Sequence, residues 1–190
     1  MSALLFWLSA ALAALLTLIL ASWFTVEFHA RQARWAQSAQ DCSSVVLWLG
    51  CPTETRAFNA RVRGLQEILL KIPPQILVVS GTAEEVHRCL EIVEVPESVQ
   101  LKADTHGYRT YASLSSLEFG DEIITVISHR YHLKRAAFLA EGLKLKTLLY
   151  PVGDRLGSWT SKGPWREALA RFRAVVDRLF PPNESHKQRN

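Results

Sequence analysis

The densest run of side chains able to do chemistry is Ser128-His129-Arg130-Tyr131-His132-Leu133-Lys134-Arg135. Imidazoles move protons near neutral pH, and guanidinium forks match phosphate or carboxylate oxygens. His132 and Arg135 stand three residues apart, close enough to share one helix face. The octet follows the apolar run EIITVI and opens an alanine-rich periodic segment, so it sits where a strand becomes a helix. A helix start offers unpaired N–H groups and the positive end of a dipole, which suits an anion. A solvated basic helix start accounts for the same residues.

Other groups join this patch if the chain brings its turns together. Asp104 follows a strand-like segment and can serve as a general base, orient a histidine, or cap the next turn. Gly50 and Gly81 mark strand-to-helix turns, where the backbone either bends tightly or approaches a ligand. Ser80 precedes Gly81. Arg61 lies between apolar helix positions, and Arg109 and Thr110 precede or open a short serine-rich helix. Each arginine is either a snorkelling surface residue or part of a polyanion site. His132, with Asp104, is the candidate for proton transfer. Gly50, Arg61, Ser80, Gly81, Arg109, Thr110, Ser128 and Arg135 are the candidates for holding a ligand. No G-x-G-x-x-G, G-x-x-x-x-G-K or G-x-S-x-G pattern occurs. His129 and His132 with Cys51 match no recognised zinc spacing, so no metal is assigned and the cofactor stays unknown.

The elements that position these residues alternate. Ser44–Leu49, Ile76–Val79, Val99–Ala103, Glu122–Ile127 and Thr147–Tyr150 read as strands. Arg56–Lys71, Glu84–Val93, Thr110–Leu117, Tyr131–Leu143 and Trp165–Phe180 read as helices. In the last, Leu169, Phe172, Val176 and Leu179 recur at three and four residues, an amphipathic pattern. Strands alternating with helices predict a Rossmann-like α/β/α domain of three layers on about five parallel strands. In such sheets ligands bind beyond the carboxyl ends of the strands, where these turns converge.

The first charged side chain is Glu27, and LLFWLSAALAALLTLILASWF before it is long enough to cross a ~30 Å hydrocarbon core. It lacks a basic leader and a clean small-x-small cleavage site, so it reads as an uncleaved transmembrane helix and not a signal peptide. Residues 1–26 are the expected anchor, 27–42 a linker or helix extension, 43–180 the domain and 181–190 a polar tail. Residues 3–25 make the lipid bilayer a partner. After the span come Arg31 and Arg34, offset by Glu27, and the positive-inside bias alone points to a cytoplasmic domain. A net charge of +4 is too small for the basic loading of a nucleic-acid binder. Three cysteines do not make a disulfide framework; a Cys51–Cys89 bridge stays open, with three buried thiols as the simpler reading.

Taken in order, VVLWLG, Arg61 with Gly64, ILVVSG, Val95-Pro96-Glu97, HGYRTYAS, ITVISHRYHLKRAAFLA and WREALARFRAVVD resemble the SanA/ElyC/YdcF-type proteins, SanA subgroup. The likeness covers roughly residues 44–154. The sequence departs from that pattern at Ala112, where the family usually has an acidic residue, and only Glu84 or Glu85 stands for the family's acidic residue after Ser-Gly. The resemblance implies a protein of the bacterial inner membrane with a periplasmic domain, acting on the envelope barrier, vancomycin exclusion and peptidoglycan or lipid-carrier metabolism. It brings no settled reaction. The expectation is an envelope-biogenesis protein that binds a phosphorylated or polyprenyl-linked precursor. The alternatives are a non-catalytic scaffolding module and a binder of a small S-adenosylmethionine-like ligand.

Overall fold

Val45–Leu49 (VVLWL) is buried at every position, as a strand covered on both faces must be. It is the second of six strands. The computed structural model describes residues 3–105, 110–153 and 163–182. In chain order the elements are α1 (Ala3–Gln32), β1 (Arg34–Trp35), a 3-10 turn (Ala39–Asp41), β2 (Val45–Leu49), α2 (Arg56–Lys71), β3 (Ile76–Ser80), α3 (Ala83–Ile92), β4 (Gln100–Asp104), α4 (Thr110–Ser115), β5 (Ile123–Ser128), α5 (Arg130–Gly142), β6 (Lys146–Pro151) and α6 (Gly163–Leu179).

All six strands run parallel, in the order β1-β6-β5-β2-β3-β4. The chain lays β3 and β4 to one side of β2, then returns to place β5 and β6 on the other. The border between β2 and β5 is therefore the switch point, and sheets of this kind bind ligands beyond the carboxyl end of that border. Alternate side chains divide two cores. Val46, Trp48, Leu77, Val79 and Tyr150 face α2 and α3. Val45, Leu47, Val78, Val126 and Leu149 face α4, α5, α6 and the end of α1. The result is the expected three-layer α/β/α arrangement. Helix starts follow local chemistry: the Thr55 hydroxyl accepts the Phe58 N–H at 3.0 Å, and Thr82 and Glu85 form a reciprocal capping box on α3.

One feature differs from the sequence reading and two are sharpened. The sheet has six strands instead of about five. The extra one, β1, pairs two residues with Leu148 and Leu149 of β6, too short to carry any alternation. Of residues 27–42, expected as a linker or helix extension, the first part extends the helix: α1 continues without a break to Gln32. The amphipathic α6 leaves most of its 169/172/176/179 stripe outside, with Phe172 half-buried. It packs through Ala168, Arg171 and Ala174, while Leu169, Val176 and Leu179 are exposed.

The end of α1 is bonded to the domain. Ser22, Val26 and Ala30 are buried. Glu27 accepts from Lys134 of α5 at 2.6 Å and from Arg171 of α6 at 3.2 Å. The Arg171 guanidinium lies 3.9 Å from the centre of the Trp23 ring and donates to the Trp23 carbonyl at 3.4 Å. Trp23, near the end of the apolar run, is thus a stacking platform. Ahead of this joint α1 is exposed and apolar, and it is long and apolar enough to cross a membrane.

Arg171 is 2% exposed and Glu27 supplies one of its two carboxylates. Glu27→Ala leaves a buried guanidinium half-neutralised, which costs about 1–3 kcal/mol. Thermal unfolding of the full chain in detergent should show a lower midpoint than wild type. An unchanged midpoint would mean that the joint carries no stability.

Candidate functional site

Arg61 occupies the switch point. It projects from α2 beneath the carboxyl end of β2 and is 2% exposed. Its Nη1 donates to the carbonyls of Leu49, at 2.6 Å, and Gly50. Its Nε donates to His129 Nδ1 at 3.0 Å, which leaves the His129 proton on Nε2. Nη2 lies 3.5 Å from His132 Nδ1. Among the described residues no carboxylate bonds to this cation. Burial pulls its pKa down, yet a guanidinium stays charged in proteins. The result is a buried positive charge held by neutral dipoles.

The two imidazoles are neutral for the same reason. Burial and the Arg61 charge lower the His129 pKa to about 4. Burial, then Arg135, Arg61 and His129, hold His132 well below its ordinary value. His132 Nδ1 is 2.9 Å from Ser128 Oγ and Nε2 is 2.8 Å from Thr110 Oγ1. The cation beside Nδ1 favours that nitrogen as acceptor, so Nε2–H donates to Thr110. The Thr110 hydroxyl proton is then free to point elsewhere. Five of the expected residues meet here: Gly50, Arg61, Thr110, Ser128 and His132. Arg135, the sixth, adds its charge to His132 from one turn further along α5 and pairs with Glu167 of α6 at 3.6 Å. Its Nε has no hydrogen-bond partner.

The rest of the octet disperses. Arg130 lies over the Trp35 ring at 4.7 Å and Lys134 binds Glu27. Ser80 and Asp104 form a second cluster. Ser80 Oγ donates to Asp104 Oδ2 at 2.9 Å, Ser113 Oγ lies 2.6 Å from Ser80 Oγ, and Ser116 Oγ donates to Asp104 at 3.3 Å. These bonds pin the ends of β3 and β4 to α4. Ser80 is 1% exposed, so its hydroxyl serves the fold, and among the described residues no hydrogen bond joins Asp104 to His132. Arg109 lies outside the described residues.

One functional-looking residue had no part in the expected site. Glu85 of α3 is 3% exposed. Its Oε2 accepts the Thr82 N–H at 3.0 Å, and its Oε1 is buried with no partner. Burial pushes its pKa up. The carboxylate presses on two turns: a Cβ at Gly50 or Gly81 would meet Oε2 at 2.5 or 2.7 Å. Both glycines are therefore needed to seat Glu85, which differs from a direct role in holding a ligand. The T-x-x-E spacing of Thr82 and Glu85 was the available signal.

The arrangement suits an anion. Arg61 and Arg135 bring charge to the crevice, and α5 starts at its mouth. General base chemistry is less well served, because both His132 nitrogens are committed and Ser128 is fully buried. Cys42, Cys51 and Cys89 are all free; burial lifts Cys89 to about 12, so it is no nucleophile. No family model matches the chain, and no curated protein or solved structure does either.

The neutral histidines make stability depend on pH. His129 binds a proton near 6.5 when unfolded and only near 4 when folded. The stability it supports is complete above its unfolded value, falls as the pH drops between the two, and is gone below the folded one. The size is about 3 kcal/mol for His129, with His132 adding in the same direction. Chemical denaturation across this range should show the decline, and His129→Asn should make it shallower. Equal slopes for the two proteins would exclude a buried neutral His129.

Proposed function

We propose that this chain is a membrane-anchored envelope protein of the SanA type that binds a phosphorylated, lipid-linked cell-envelope intermediate in the crevice at the β2/β5 switch point. The observation that carries the reading is Arg61, a buried guanidinium with no carboxylate bonded to it among the described residues, backed by Arg135 and the start of α5. Glu85 acts on Arg61 only through space, and a phosphate entering there would bond the cations directly. The order of landmarks from VVLWLG to ITVISHRYHLKRAAFLA supports the family, and the apolar α1 supports a substrate that shares its bilayer. A tether of this kind raises the effective concentration of a lipid-borne ligand.

Within this reading the domain binds and presents its ligand and does not transfer protons through His132. The committed hydrogen bonds of His132 favour that version, as does Ala112 in place of an acidic residue. The domain lies on the periplasmic face of a bacterial inner membrane. The family likeness outweighs a flank bias that rests on Arg31 and Arg34 against Glu27.

Two measurements test the proposal. Full chain in lipid nanodiscs should bind a polyprenyl phosphate, and Arg135→Gln should weaken that binding about tenfold, the loss expected for one charge-assisted contact. Dilute soluble phosphosugars should compete poorly. Equal binding by the variant would remove the anion site, and strong competition would remove the lipid-linked substrate. Separately, alkaline phosphatase fused after Asn190 should be active. An inactive phosphatase paired with a fluorescent protein that glows at the same position would put the domain in the cytoplasm.

A further inference from the structure

The apolar stripe of α6 is largely turned away from its own domain, with only Phe172 of its four residues half-buried. Leu169 is 57% exposed, Leu179 66% and Phe180 74%, with Val176 also exposed. Charged and small residues, Ala168, Arg171 and Ala174, make the helix's internal contacts instead. The spacing of Leu169, Phe172, Val176 and Leu179 is three, four, three. That is the a/d repeat of a coiled-coil seam, which packs against a like helix. It spans about 15 Å at the helical rise per residue.

The direction of α6 narrows the occupant. Arg171 is bonded to Trp23 and Glu27 of α1. Two turns later Arg178 pairs with Glu141, which also holds His29. Successive turns of α6 thus follow successive turns of α1, and the stripe runs along the anchor's axis. A bilayer crossed by α1 lies across that axis, so it can reach only the beginning of the stripe. A second copy anchored in the same membrane presents its own α6 in the same direction and alongside. A two-fold axis along the membrane normal then brings the two stripes together over their whole length.

We infer that the chain forms a parallel homodimer through the Leu169–Leu179 face of α6. Two heptads are short for an independent coiled coil. Confinement to one bilayer and alignment by α1 supply the effective concentration that a short seam lacks. The inference does not depend on what the crevice binds.

The test uses the full chain in nanodiscs large enough for two copies, with mass measured per particle. Wild type should give two chains per particle. Leu169→Glu with Leu179→Glu should give one, with an unchanged unfolding midpoint because both side chains are exposed. Any of three results overturns the inference. These are one chain per wild-type particle, a double variant that remains a dimer, and a double variant that loses its folded midpoint. Hydroxyl-radical labelling separates the remaining occupant: single chains with Leu169, Val176 and Leu179 shielded would assign the face to lipid.

Discussion

A single guanidinium in a dry place organises the carboxyl end of this sheet. Arg61 reaches from α2 to the carbonyls where β2 stops and to the imidazoles where β5 becomes α5. It thereby joins the two strands on either side of the switch point. Its charge also decides the state of its neighbours. A cation at 3.0 Å from His129 Nδ1 fixes that nitrogen as acceptor and, with burial, keeps both rings neutral. Burying an ion is costly, and this one is held by backbone carbonyls and imidazoles, with the Glu85 carboxylate acting on it through space.

From this centre a chain of charges leads to the membrane side of the molecule. Arg135 pairs with Glu167, Glu167 with Arg171, and Arg171 with Glu27 near the end of the apolar helix. The crevice and the anchor are thus supported by the same two helices, α5 and α6. This explains why α6 turns arginines inward. Their stems fill space between helices while their heads neutralise Glu167 and Glu27. An apolar stripe is left on the outside as a consequence.

The fold was legible because β-branched runs and helical periods alternate without ambiguity. Arg56–Lys71 ends where Pro73-Pro74 requires it, and the face of Val62, Leu65, Ile68 and Leu69 is buried as its spacing implies. The β1 strand left no trace, since two residues cannot show a period. The inward face of α6 was not legible, because apolar periodicity reports amphipathicity and not which side meets the core. The site was half legible. Turns after strands identified Gly50, Ser128 and His132, but position along the chain cannot separate a hydroxyl that faces solvent from one, like Ser80, that pins two strands. Glu85 entered only as one of two loose counterparts of the family's acidic residue, because a capping box is usually a surface feature; its burial follows from the two glycine turns that close over it.

The unbroken course of α1 has a mechanical meaning. No loop separates the apolar segment from the residues that grip α5 and α6, so no swivel exists between stalk and head. A helix longer than the local hydrocarbon thickness tilts to bury its excess. Were α1 to cross a bilayer, such a tilt would pass undiminished to the whole domain, and bilayer thickness would set the angle of the sheet's carboxyl end to the lipid surface.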